Sequence, residues 1–401
     1  MRSWLVLVLV LAAGLALAGP PALRAQEAST AVRTEPGDPA LQRRFAAALD
    51  AFREARGVPG STAALVLPDG SLLAAASGRS DVEAGRPMGT GDRMMSGSVG
   101  KMFFAAVILL AVADGELDLD APLAEVLGEA EWFDRLPNAE ALSLRILLRH
   151  RSGIPEHVQV PAFIAACRDQ PDRVWKPEDL LAFIFDREPL FAADAGFAYA
   201  DTNYIVAGMV YERATGRRIA EAVRARILGP LDLRDTVPSD RRRIDGLVPG
   251  YGAADSPFGL SGRLLDVDGR FVINPQMEWT GGGFALTTGD LVRFVRALFD
   301  GRVLAAPELD AMRDLVPAPG LGSYGLGLIG WKSAHGPALG HSGWFPGYLC
   351  QVAHYPERQL TVAVSVNTDD FRAVGSLRRV VDELAAAVLD PPSAPDARQR
   401  R

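Results

Sequence analysis

Met94–Ala106 reads MMSGSVGKMFFAA, and the rest of the chain is organised around it. Ser98 stands three residues before Lys101. An apolar run follows through Met102, Phe103, Phe104, Val107, Ile108, Leu109 and Leu110, which predicts a buried helix. Residues three apart share a helix face, so the hydroxyl and the amine are expected to meet. Ser98 falls at the helix N-terminus, where free N–H groups and the dipole favour developing negative charge. That suits a serine nucleophile with a lysine as its base. The pairing is selective, because the chain has three lysines, Lys101, Lys176 and Lys332, and only Lys101 follows a serine at this spacing. An arginine supplies charge but no proton acceptor, whereas the pKa of a lysine can shift. The alternative is a solvated lysine in the first turn of a core helix. GSVGK is not a phosphate loop: the first glycine of that motif falls on Met95, and Met102 follows the lysine.

With 401 residues, 48% apolar and 23% charged, the chain is ordinary for a globular protein and long enough for two lobes. A net charge of −7 with no long basic block argues against a nucleic-acid binder. The opening MRSWLVLVLVLAAGLALAG reads as a secretory signal, with Arg2 before an apolar stretch from Trp4 to Ala18 that is short for a membrane span. Cleavage is expected after Ala18 or Ala25, so residues 1–25 are assigned to the signal and 26–37 to a flexible lead-in. The mature protein is then exported, periplasmic or secreted, without a membrane span; an uncleaved anchor is the alternative. Export permits a disulfide between Cys167 and Cys350, but their apolar neighbours equally suit buried free thiols.

Outward from Ser98, DPALQRRFAAALDAFREARG has a helical period ended by Gly57, and STAALVLPDGSLLAAASG forms a hairpin around Pro68-Asp69-Gly70. From Gly115 the texture changes to helical pieces broken by Gly and Pro, among them two helices split at Gly216. A helix capped by Thr287 or Thr288, with Asp290 in its first turn, follows a Gly-rich turn. Strands then run from Tyr324 to Asn367, and a last helix spans about Val374 to Leu389, before a disordered tail at 391–401. A lone hairpin is marginal in water, so the strands of the two chain ends need each other. The expected fold class is therefore α+β. One antiparallel sheet is flanked by the N- and C-terminal helices (residues 38–109 and 271–390), and a mainly helical lobe (110–270) is inserted.

Two further stretches carry chemistry, Phe197 to Tyr204 (FAYADTNY) and Gly340 to Trp344 (GHSGW). With these in place, residues 40 to 390 resemble the serine β-lactamase and penicillin-binding superfamily, in the branch of class C β-lactamases, D,D-carboxypeptidases, D-aminopeptidases and related esterases. By that resemblance Ser98 and Lys101 match the nucleophile and its lysine, and Tyr199 the tyrosine of the Y-x-N element, with Asp201 at the asparagine position. His341 and Gly343 match the ends of the K-T-G element, with Ser342 between them. The HRSGIP stretch from His150 to Pro155 resembles a structural turn of the same branch.

The resemblance implies a single catalytic domain over 38–390 and acyl transfer through Ser98. Lys101, Tyr199 and His341 assist, and the backbone N–H groups of Ser98 and Trp344 form an oxyanion hole. Asp201, Ser342 and Gly343 are expected on the substrate. No metal or organic cofactor is implied. Expected partners are a small peptide, amide or ester, with β-lactams or cell-wall peptide as further candidates. Two departures matter. Asp201 adds a negative charge; if it contacts Lys101 it favours the ammonium and opposes a base role. His341 replaces a permanent cation with a group that titrates near pH 6.5, roughly. Both weigh against β-lactam hydrolysis and toward peptidase or esterase work. Simpler readings stand beside these: Tyr199 as a core aromatic, Asp201 as the cap of a helix starting at Thr202, His341 as a satisfied strand histidine, and His150 as a structural residue of its turn. A non-turnover binding protein or an inactive relative are the alternatives to an enzyme.

Overall fold

The computed structural model describes residues 38–389, so the signal, the lead-in and the tail assigned above lie outside the described residues. Helix α1 (Pro39–Arg56) opens on Asp38, whose carboxylate accepts from the Ala40 N–H at 2.8 Å, and closes on Gly57 at φ 62°. The hairpin follows as β1 (Gly60–Val66) and β2 (Leu72–Asp81). Helix α2 (Lys101–Ala113) carries the apolar run, and α3 (Asp201–Thr215) and α4 (Thr288–Phe299) come later. The strands of the C-terminal half are β3 (Ile329–Ser333), β4 (Gly336–Phe345), β5 (Tyr348–Tyr355) and β6 (Leu360–Val366). The last helix is α5 (Leu377–Leu389).

β1 pairs antiparallel with β6, so both ends of the chain share one sheet, in the order β2-β1-β6-β5-β4-β3 with short strands added at each edge. β1 and β6 are buried on both faces, and their alternation sorts the core. Ala63 and Leu65 pack with Phe45 and Leu49 of α1 and with Val381 and Leu384 of α5. Ala64 and Val66 face the other way, into the cluster that holds Phe103 of α2 and Phe294 and Val295 of α4. Helix α2 is apolar all round and almost wholly buried, as a helix between two layers must be. The sheet-and-flanking-helix architecture is the α+β fold expected.

Three details differ from expectation. The last helix is broken: Phe371–Val374 forms one turn, and Gly375 at φ 69°, ψ −141° separates it from α5. The middle of the chain is less helical than its periodicity suggested. Before α3 its α-helices have four to nine residues (Ala124–Leu127, Leu144–Leu148, Pro161–Asp169, Pro177–Leu181), the first of them closed by Gly128. Ser98 lies in a 3₁₀ turn, Gly97–Gly100, that runs straight into α2. Cys167 and Cys350 are buried free thiols. No helix among the described residues is long and apolar enough to cross a membrane.

Candidate active site

The site forms where three segments meet at the head of α2. The first is the Ser98 turn, which packs against β4 and the Gly281–Gly283 loop at glycines. A Cβ on Gly100 would stand 1.7 Å from the Gly282 carbonyl oxygen, and one on Gly343 would stand 1.9 Å from that of Ser96. Only bare backbone allows this approach. It brings Trp344 against Gly97, since a Cβ there would lie 2.6 Å from the Trp344 nitrogen. The cavity beside the turn has a volume of about 1070 Å³, and Ser98, Tyr199, Asp201, His341, Ser342, Gly343 and Trp344 all line it.

Lys101 lies beneath this cavity and is fully buried. Its Nζ donates to Ser98 Oγ at 2.9 Å, to Asp201 Oδ1 at 2.5 Å and to the Gly281 carbonyl at 2.5 Å. An ammonium has three donors and no acceptor, and three acceptors surround this one. Burial opposes the charge, but Asp201 and Tyr199 together outweigh it and hold the amine above its ordinary range. Asp201 is therefore not a helix cap. It is the first residue of α3, makes no side-chain cap, and pairs with Lys101 instead. Burial pushes its own carboxyl up, and Lys101 works against that shift.

The Tyr199 hydroxyl is buried without a hydrogen-bond partner among the described residues, and the Lys101 ammonium lies 5.0 Å from its ring centroid. A core tyrosine normally satisfies its hydroxyl, so an orphaned one on a cavity wall favours the functional reading. Burial, opposed by Lys101, pushes this phenol up to about 12. His150 holds the tyrosine in place. Its ring stacks 4.1 Å away, and its Nδ1 accepts from the Ala200 N–H at 3.2 Å. Asn203 also approaches His150, at 3.1 Å, which fixes this histidine as a structural residue of its turn.

His341 on β4 is 1% exposed. Its Nδ1 lies 2.7 Å from the Ser342 carbonyl, which can only accept, so Nδ1 carries the proton and Nε2 accepts from the Tyr324 hydroxyl at 2.9 Å. Burial, reinforced by Lys101, lowers its pKa to about 3. The group is a neutral imidazole held on both nitrogens, and it supplies no cation to a substrate. Ser342 Oγ donates to Gln351 Oε1 at 2.6 Å on the neighbouring strand.

Two acidic residues of the cavity were not singled out from the sequence. Glu156 directly follows the HRSGIP turn and accepts from the Asp201 N–H at 2.6 Å and the Val158 N–H at 3.0 Å. Burial raises its pKa, but hydrogen bonds from His157 and the backbone outweigh that and keep it below the usual range. Glu278 accepts from the Gly283 N–H at 2.9 Å, and burial pushes it up to about 8. The available signal was an acidic residue among apolar and small neighbours in PQMEWTGGG. Among the described residues, no three His, Cys, Asp or Glu side chains are grouped to hold a metal ion.

Over most of its length the chain is similar to known proteins. Penicillin-binding protein 4 of Amycolatopsis lactamdurans is 28% identical over 382 residues, covering 88% of this chain and 92% of that protein. A D-aminopeptidase of Cereibacter sphaeroides is 27% identical over 367 residues, which is 87% of this chain but only 63% of the relative. The D-amino acid amidase of Ochrobactrum anthropi SV3, solved with D-phenylalanine, matches with a TM-score of 0.74 at 28% identity, over 88% of this chain and 99% of that one. The β-lactamase family model matches residues 45–386. Since that match runs unbroken through every segment that walls the cavity, from the Ser98 turn to the His341 strand, the chain belongs to the β-lactamase family.

Proposed function

We propose that the protein is an exported D-stereospecific amide or peptide hydrolase working through an acyl-enzyme on Ser98. The observation that carries this is the charge of the cavity. Lys101 balances Asp201, which leaves the Glu156 carboxylate in excess while His341 is neutral, so the floor favours a substrate with a free amine over one with a carboxylate. The relatives named D-aminopeptidase and D-amino acid amidase point to the same class. Phe258, Trp344 and Phe371 form an aromatic wall, with centroids 5.9 and 6.4 Å apart, suited to a large apolar side chain.

In the proposed cycle Ser98 Oγ attacks the scissile carbonyl and its proton passes to Tyr199 in the minor fraction that is phenolate, a form the Lys101 ammonium supports against burial. The backbone N–H groups of Ser98 and Trp344 hold the oxyanion; losing one such donor costs roughly 3 kcal/mol. Tyr199 then protonates the leaving amine, and water releases the acid from Ser98. His341 ties β4 to the Tyr324 hydroxyl. Export rests on the Trp4–Ala18 stretch, and N-terminal sequencing of secreted protein checks it.

A fluorophosphonate adduct on Ser98, mapped by mass spectrometry, together with turnover of D-phenylalanine amide but not its L-isomer, is the expected result. Ser98→Ala abolishes both while the melting curve is kept. An active Ser98→Ala variant overturns the scheme. A second reading rests on Arg378, the one Lys or Arg on the cavity wall among the described residues, which offers a place for the carboxylate of a β-lactam or a D-Ala-D-Ala peptide. A lasting Ser98 adduct with a β-lactam, without amide turnover, selects that reading.

A further inference from the structure

The loop that reaches Lys101 is held in a costly shape. Trp279 sits at φ 41°, ψ −119°, a conformation that costs a non-glycine residue about 1–3 kcal/mol. One side chain ties its two ends together: Glu278 accepts through Oε2 from the Gly283 N–H at 2.9 Å. Between those ends, Gly281 gives its carbonyl to Lys101, and Gly282 lies against the Ser98 turn.

The other oxygen of Glu278 is in an unusual place. The point where a Gly282 Cβ would stand is 2.0 Å from Glu278 Oε1 and 2.6 Å from the Gly97 carbonyl oxygen, which also accepts from Ser96 Oγ at 3.1 Å, so both oxygens face Gly282 beside the nucleophile turn. Both are acceptors if Glu278 is ionised, and no N–H or O–H among the described residues donates to Oε1. A proton on Oε1 turns this opposition into an O–H···O hydrogen bond to the backbone of the residue before Ser98.

We propose that Glu278 acts as a neutral carboxylic acid, donating from Oε1 to the Gly97 carbonyl while Oε2 accepts from Gly283, and that it is thereby the positioning residue locking the Gly281 loop onto the Ser98 turn. Its burial, at 8% exposure, and its raised pKa agree with a carboxyl that keeps its proton at neutral pH. On ionisation the bond to Gly97 is lost, and a further negative charge joins Asp201 and Glu156 near Lys101. The groups facing this region are Lys101 of α2, Asp201 of α3, Tyr199 before it, Glu156 and His157 of the adjoining turn, and His341 of β4. Lys101 and Tyr199 are held high and His341 low, and Glu156 stays below its usual range, so none of these four is placed to titrate near pH 8.

The proposal rests on Ser98 being an activated nucleophile, so its test uses the rate of Ser98 modification by a fluorophosphonate, followed against pH and independent of substrate. The native protein is expected to show a downward bend in log rate near pH 8. Glu278→Gln can donate to Gly97 and accept from Gly283. It should keep the native rate at pH 6–7 within about threefold and lose the bend, while Glu278→Leu should fall tenfold or more across the range. A Gln variant that retains the native bend, or a folded Leu variant with the native rate, overturns the proposal. Absence of labelling in the native protein instead overturns the reading of Ser98 on which it rests.

Discussion

Lys101 has all three hydrogens engaged and Asp201 beside it, so its amine is an ammonium and the proton of Ser98 needs another acceptor. Asp201 also raises Tyr199, because a carboxylate nearby disfavours a phenolate. Replacing Asp201 by asparagine keeps an acceptor for Lys101 and removes the charge. Both Lys101 and Tyr199 then lose their protons at lower pH, and the rising limb of the activity profile should move down by about one pH unit or more. A limb that stays in place would show that neither group is the base. The same substitution removes one partner of a pair whose lysine is fully buried, so a loss of up to about 3 kcal/mol is expected in a denaturant melt. The sequence disclosed which residue types occupy these positions. The direction in which Asp201 points, at Lys101 rather than at the N-terminus of α3, required the fold.

At the level of elements, the site depends on backbones that touch. The Ser98 turn, the Gly281–Gly283 loop and β4 approach one another at Gly100, Gly282 and Gly343, closer than a side chain permits. Gly100 has ordinary helical angles, so its need for glycine comes from the Gly282 carbonyl and not from conformation. Gly100→Ala should therefore push the loop away, weaken the contact between Gly281 and Lys101, lower kcat by at least about tenfold and destabilise by roughly 1–3 kcal/mol. A variant with native kcat and melting temperature would show the loop is not held by this contact. Caps were easier to read. Thr287 accepts from the Asp290 N–H as its position suggested, although the Asp290 carboxylate itself turns to the Asp235 N–H and the Thr236 hydroxyl. The break at Gly375 leaves no mark in the sequence pattern, because the apolar period continues across it.

At the scale of the whole molecule, buried histidines and a buried carboxyl set opposite limits on stability. His341 and His354 are held at about 3 by burial, against an ordinary value of 6.5. The unfolded chain binds their protons between these values and the folded chain does not. Stability is thus full above pH 6.5 and falls toward pH 3, at up to about 1.4 kcal/mol per pH unit for each histidine. Glu278, held at about 8 against 4.5, acts in reverse, and its contribution falls as pH rises from 4.5 through 8. The two windows overlap between pH 4.5 and 6.5, where two histidines outweigh one carboxyl, so the melting temperature is expected to be highest near pH 6.5. His354 packs on Phe299 and bonds Thr361, away from the cavity. A His354→Gln variant should show a shallower acid limb, and an unchanged slope would count against this account. The sequence alone determined the spacing that brings Ser98 to Lys101, the hairpin, the pairing of the two chain ends in one sheet and the residue types of the site, because these follow from local spacing and from apolar periodicity that must be buried. The tertiary structure decided the protonation of Lys101, the neutrality of His341, and the entry of Glu156 and Glu278. These depend on distances between segments far apart in the chain and on the loss of water around them, which no local pattern encodes.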